Sequence, residues 1–303
     1  MPPPRGTPNV IEVPGDYDTT SVVHSDTYPA IDSAKADLTG RVIFITGATR
    51  GIGRNIGISF AKAGATMIAI GARSDLGETA QAMRAAAVSA GKPEPTILAL
   101  KLDVASRESV EAAAAEIKKT FGRVDVVVNN AAILPVWAPM ADMDPEVWWN
   151  TMVTNVKGPY LVMRSLIPLM LEAEGLRTFV TVGSVGALLR TPGASAYQTS
   201  KLAVLRLTEF LHADYSNKGI LAYTIHPGTV PTDMTTSAGL VDRFSHMFTE
   251  TPELAGDSIV YLARERREWL GGRYINVTWD LPELVGLKDE IVKGDKLKIQ
   301  LVV

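Results

Sequence analysis

Cysteine is absent from all 303 residues, so neither a disulfide framework nor a thiolate metal site is open to this chain. Histidine is scarce, and His24, His212, His226 and His246 show no ligand spacing, which leaves a metal centre without support. No run of about eighteen apolar residues occurs, which excludes an ordinary membrane helix. With 30 Lys and Arg against 33 Asp and Glu, the net charge is -3, and no basic block could track a phosphate backbone. Nucleic acid is therefore excluded as a partner. The opening residues, MPPPRGTPNVIEVPG, lack an apolar core and do not read as a secretion signal. What remains is the expectation of a cytoplasmic protein that handles a small molecule.

What is present is a hydrophobic fraction of 46%, ample for a substantial core. Residues 1–40 lack sustained periodicity and read as an extended arm, lying on the surface or partly disordered. From Arg41 the pattern changes. RVIFIT (41–46) is a short buried-strand run, and a glycine-punctuated turn leads to NIGISFAKAG (55–64) at helical spacing. The alternation continues with strand runs ATMIAI, TILALKLDV, VDVVVNN, RTFVTVG, ILAYTIH and RYINV. Helices are predicted between them, including 79–90, 106–122, a long one over about 145–171, 195–217 and 252–263. Uniformly apolar strands alternating with helices imply an α/β fold, because parallel neighbours need crossover connections. The expectation is one doubly wound Rossmann domain over 41–278 with a parallel seven-stranded sheet. Residues 279–303 read as an appendage, a helix followed by a short edge strand.

Directly after the first strand stands Thr46-Gly47-Ala48-Thr49-Arg50-Gly51-Ile52-Gly53, with a helix following. Glycines 47, 51 and 53 let the backbone turn sharply and approach a pyrophosphate at the helix N-terminus, where free N–H groups favour anions. An ordinary tight turn is the competing reading, disfavoured by the strand before and the helix after. This Thr-Gly-x-x-x-Gly-x-Gly spacing resembles the short-chain dehydrogenase/reductase family. So does Asn129-Asn130-Ala131-Ala132, in which Ala132 replaces that family's usual glycine. The resemblance implies cofactor contacts from Thr49, Ile52, Asn130, Ala131 and Ala132. It also implies adenine contacts from Asp103 and the Val104 amide, and nicotinamide contacts from Pro227, Gly228, Val230 and Thr232. Relatives that prefer NAD place an acidic residue at the end of the second strand, where Gly71 stands here. Arg73 follows and Arg50 sits in the glycine loop, so two guanidinium groups favour NADP(H), with NAD(H) as the alternative.

The segment Ser184 … Tyr197-Gln-Thr-Ser-Lys201 carries the chemistry. Tyr197 and Lys201 share one helix face, and Ser184 follows the preceding strand at the carboxyl edge where open α/β sheets hold ligands. Reducing a ketone needs a proton for the developing alkoxide, and a free tyrosine, with a pKa of about 10, needs a cation beside it to serve at neutral pH. The family shows the same Ser, Tyr-x-x-x-Lys spacing. It implies that Lys201 stabilises the phenolate and hydrogen-bonds the nicotinamide ribose, that Ser184 holds the substrate oxygen, and that the Asn155 side chain anchors a water linking Lys201 to solvent. His226 reads as a packed strand-end residue.

A substrate pocket is expected from Leu134, Pro135 and Trp137, then Leu188 and Leu189, then Met234, Phe244 and Met247. That apolar set points to a hydrophobic ketone or secondary alcohol. Trp148 and Trp149 lie on the long helix, one expected in the core and one at a homodimer or homotetramer interface. The resulting expectation is an NADP(H)-dependent carbonyl reductase or alcohol dehydrogenase. Two alternatives use the same motifs: a non-redox epimerase, dehydratase or cyclase, and a dinucleotide-sensing binding protein. The proline-rich start and the tail from Trp279 look similar to extensions in fungal members of the family.

Overall fold

The computed structural model describes residues 19–301; the expectations for 1–18 and for the last two residues fall outside it. Seven parallel strands form one sheet: β1 (Val42–Thr46), β2 (Met67–Ala72), β3 (Thr96–Lys101), β4 (Val126–Asn129), β5 (Thr178–Val182), β6 (Leu221–His226) and β7 (Tyr274–Asn276). Their spatial order is β3-β2-β1-β4-β5-β6-β7. Phe44 of β1 lies beside Ala69 on one side and Val127 on the other, so the chain winds outward in both directions from the β1/β4 pair. A crevice opens beyond the carboxyl ends of the strands at that switch point.

Strand alternation decides which layer each side chain joins. Ile43 and Ile45 pack with Phe60 of α1 (Gly51–Lys62) and Leu254 of α9 (Pro252–Ala263). Val42 and Phe44 join the opposite layer, with Ile117 of α3 (Arg107–Phe121) and Leu166 of α5 (Gly158–Glu172). Helix α2 (Gly77–Ser89) packs beside α1 through Met83. Both faces of the sheet are thus covered, which is why Lys101, at the end of edge strand β3, is the one Lys, Arg, Asp or Glu in its seven strands. The α3 boundaries follow local chemistry: the Ser106 side chain accepts from the Ser109 amide at the start, and Gly122 ends the helix at φ 74°.

Four expectations change. The long helix is interrupted, running as α4 (Pro145–Met152), a wider π turn over Val153–Lys157, and α5. Residues 19–40 are no surface arm, because Ile31, Ala36 and Leu38 are buried in the same layer as α1 and α9. Their irregular spacing carries no periodic signal; tertiary contact alone orders them. The tail forms two short helices, α10 (Leu281–Gly286) and α11 (Lys288–Lys293), and no edge strand follows among the described residues. Asp295 and Leu297 take φ of 45° and 64°, which turns the chain away from an extended path. Neither tryptophan of α4 is core: Trp148 is half-buried and Trp149 is 61% exposed, stacked on each other at 6.3 Å.

Candidate active site

A cavity of about 440 Å³ opens at the carboxyl edge of the sheet. One end is the glycine loop between β1 and α1. Gly47 sits at φ 69° and Gly51 at φ 54°. A Cβ on Gly53 would lie 2.2 Å from the Gly47 carbonyl oxygen, and one on Gly47 would lie 2.8 Å from the Ala131 Cα. The loop is therefore folded on itself and on the β4 end with no room for side chains. The Asn130 side chain holds it there, donating to the carbonyls of Thr46 and Gly47 at 2.9 and 3.0 Å. No side chain caps α1 at Arg50, in contrast to α3, so the first amides of α1 are free for an anion, and Gly51, Ile52 and Gly53 border the cavity. The pyrophosphate of a dinucleotide fits that donor set.

Asp103 and Val104 border the cavity beyond β3, and the Asp103 carboxylate accepts from the Ala105 amide at 2.9 Å. Strand β2 runs on through Gly71 to Ala72, and a Cβ at Gly71 would lie 2.6 Å from Leu102 Cδ2, so a side chain at that point would require Leu102 to move. Arg73 is the first residue past the strand, exposed at the cavity edge. Arg50 also borders the cavity, but its guanidinium pairs with Asp233 at 2.9 Å across the mouth, with both groups largely exposed.

At the other end, Tyr197 and Lys201 project from α6 (Ser195–Tyr215), with Ser184 opposite them just past β5. The Lys201 ammonium lies 5.6 Å from the Tyr197 ring centre and donates to the Val182 carbonyl at 2.9 Å. Burial pulls the Lys201 amine down to about 8. The Tyr197 ring opens partly onto the cavity, yet desolvation raises its hydroxyl, with a hydrogen bond from Ser184 working the other way. Ser184 Oγ also accepts from the Gly186 amide at 3.0 Å, so its single proton serves the bond to Tyr197.

Asn155 does not reach the cavity. It is 2% exposed inside the π turn, where its Oδ1 accepts from the Ile133 amide at 2.8 Å. Its Nδ2 donates to the Ile133 carbonyl at 2.9 Å and to Ser200 Oγ at 3.0 Å. Both side-chain donors and one Oδ1 lone pair are used within the protein, so the side chain ties the post-β4 loop to α6. Ser200 continues that tie by donating to the Tyr197 carbonyl at 2.7 Å.

Pro227, Gly228, Val230 and Thr232 form the wall after β6. The Thr232 hydroxyl is engaged in a capping box with Thr235 at the start of α7 (Asp233–Ser237). His226 also borders the cavity; burial and the neighbouring Lys201 charge push its imidazole down to about 3. The cavity is also bordered by the apolar side chains of Leu134, Trp137, Leu189, Met234 and Phe244. Leu188, Pro135 and Met247 do not border it; Leu188 packs on the core and Met247 is 7% exposed in the 3-10 turn over Ser245–Met247. Leu240, on α8 (Leu240–Arg243), and Phe248 stand in their stead. The short helices α7 and α8 show too little periodicity for sequence reasoning to place their residues. Glu250, which supports the post-β6 wall, was also missed, since a single acid outside any motif carries no local signal.

A doubly wound sheet with a glycine loop at one end of its crevice and a Ser, Tyr and Lys cluster at the other defines a hydride-transfer oxidoreductase of the α/β type. The short chain dehydrogenase family model matches residues 41–240. The chain is 54% identical to short chain dehydrogenase pigC of Monascus ruber over 100% of both chains. It is 48% identical to short chain dehydrogenase citE of Monascus ruber over 93% of this chain and 96% of that one. A crystal structure of a short-chain type dehydrogenase/reductase from Mycobacterium marinum superposes with a TM-score of 0.70 and 26% identity. It covers 82% of this chain and 97% of that chain. The chain belongs to the short-chain dehydrogenase/reductase family and is an NAD(P)-dependent oxidoreductase.

Proposed function

We propose that this enzyme is an NADP(H)-dependent carbonyl reductase or secondary-alcohol dehydrogenase acting on a hydrophobic substrate, with Tyr197 as its proton-transferring residue. The observation that carries the reading is the convergence of Tyr197, Lys201 and Ser184 on the cavity that the glycine loop also borders. The nicotinamide, when bound, supplies or accepts the hydride. In the reductive direction the Tyr197 hydroxyl donates its proton to the carbonyl oxygen as negative charge develops there. Ser184, its Oγ oriented by accepting from the Gly186 amide, donates its one proton in a hydrogen bond to the same oxygen. Lys201, its ammonium aimed by Val182, stabilises the phenolate that remains and offers its other donors to the ribose.

Free amides of α1 hold the pyrophosphate, Asp103 and Val104 the adenine, and residues 227–232 the nicotinamide. Arg73 and Arg50 support NADP(H), with Arg50 leaving Asp233 to reach a 2'-phosphate. The lining by Leu134, Trp137, Leu189, Met234 and Phe244 supports a cyclic or aromatic ketone over a charged one. Residues 41–278 are taken as the catalytic domain, flanked by two extensions. A cytoplasmic homodimer or homotetramer is part of the same reading, supported by Trp149, Tyr160 and Phe210 exposed on α4, α5 and α6. Among the described residues no helix is long and apolar enough to cross a membrane.

The test is cofactor consumption by purified protein with NADPH or NADH against a panel of cyclic, aromatic and small charged ketones. Stoichiometric NADPH oxidation with apolar ketones is expected. A preference for NADH, or activity confined to small keto acids, overturns the finer assignment.

A further inference from the structure

Glu250 stands directly before the α9 cap and is 2% exposed, yet it belongs to no motif and does not border the cavity. Its carboxylate faces the back of the post-β6 wall. Oε2 accepts from the Thr229 amide at 2.8 Å, and Oε1 accepts from the Thr249 hydroxyl at 2.8 Å. The two segments touch: Gly228 turns at φ 84°, and a Cβ there would lie 2.9 Å from both Cβ and Cγ of Glu250. A buried carboxylate is costly, and desolvation raises its pKa. What the site receives in return is two acceptor atoms in fixed directions, one of them on the backbone of the wall.

The other side of the same segment is also held. The Thr251 amide donates to the Ser25 carbonyl at 2.9 Å, and the Thr251 hydroxyl to the Asp26 carboxylate at 2.7 Å. Residues 19–28 in turn are tied to the tail, with His24 bonded to Asp280 at 2.9 Å and the Tyr28 hydroxyl accepting from the Leu281 amide at 2.8 Å. Glu250 is thus braced from the N-terminal segment and presses on the turn between His226 and Val230.

We propose that Glu250 is a positioning residue that fixes the nicotinamide-side wall through the Thr229 amide, and that the N-terminal segment serves this by bracing Thr251. This rests on the reading that residues 227–232 meet the nicotinamide. Glu250 acts through the backbone it holds and touches neither cofactor nor substrate.

The test compares equilibrium binding of NADPH and NADH, by protein fluorescence, and steady-state kinetics for wild type, Glu250→Ala, Glu250→Gln and Thr249→Val, well below each melting temperature. Glutamine keeps an oxygen acceptor for the Thr229 amide, and its Nε2 donates to Thr249 Oγ1. Glu250→Ala is expected to weaken cofactor binding and raise cofactor KM about tenfold, while Glu250→Gln stays within about threefold of wild type. Unchanged cofactor binding in folded Glu250→Ala, with only a lower melting temperature, overturns the proposal. So does a Glu250→Gln as impaired as the alanine variant. If Glu250→Ala does not fold, Thr249→Val decides: freeing Oε1 should weaken cofactor binding, and an unchanged value contradicts the proposal. Wild type that binds neither dinucleotide defeats the underlying functional reading, an outcome separate from a wild type that binds normally with indifferent variants.

Discussion

Replacing Asn155 by alanine removes three hydrogen bonds at once. The Ile133 amide and carbonyl and the Ser200 hydroxyl lose their partner on a side chain that is 2% exposed. A buried donor left without an acceptor costs about 1–3 kcal/mol, and a lost hydrogen bond about 1 kcal/mol. Ile133 is only half-buried, so water recovers part of this. The expected destabilisation is about 3 kcal/mol, or a melting temperature roughly 6 °C lower at about 2 °C per kcal/mol. Because Ile133 borders the cavity, cofactor KM should rise in the same variant. Asn155→Asp should do no better: it keeps the acceptor for the Ile133 amide but loses both donors and buries a charge. Urea unfolding with cofactor titration measures both effects. A stability within about 0.5 kcal/mol of wild type refutes the clamp, and a destabilised variant with unchanged cofactor KM refutes its link to the site.

Gly53→Ala places a methyl group 2.2 Å from the Gly47 carbonyl oxygen, so it should cost about 3 kcal/mol and abolish measurable dinucleotide binding; calorimetric titration checks this. Lys201 gives a pH signature in the cofactor-free protein. Burial lowers its folded pKa to about 8 from 10.5, so the unfolded chain binds more protons between those values and this residue's contribution to stability grows as pH rises through that window. Lys201→Met should remove that increment, about 3 kcal/mol over the window, as read by unfolding at pH 7.5 and pH 10. Paired charge substitutions Trp149→Glu and Phe210→Glu, at exposed sites on α4 and α6, should leave folding intact and shift the species toward monomer in light scattering. An unchanged mass would remove those helices from the interface.

The glycine loop and the Ser184, Tyr197, Lys201 cluster were legible because each is local in sequence. A turn that needs glycine, or two side chains four apart on a helix, shows its purpose within a few residues. The sheet was equally legible, since strands covered on both faces leave uniformly apolar runs. Asn155 was found, but its ties to Ile133 and Ser200 were not, because those residues come near it only once the π turn and α6 are in place. Leu188 and Leu189 are adjacent and chemically alike, and only the 3-10 turn over Val185–Ala187 decides that Leu189 faces the cavity. The segment 19–40 misled for a related reason: Ile31 and Leu38 are buried by contacts with distant helices, and no periodicity announces that. Glu250 acts across 21 residues of sequence on a backbone amide, a contact with no sequence signature.

The central claim is that Tyr197 transfers the proton. Tyr197→Phe removes one hydroxyl at the cavity wall and leaves the glycine loop, Lys201 and the post-β6 wall in place. Single-turnover oxidation of bound NADPH with an apolar ketone should fall by about a thousandfold or more, while the NADPH dissociation constant stays within about threefold of wild type. Turnover at a comparable rate in that variant, with cofactor still bound, would contradict the mechanism.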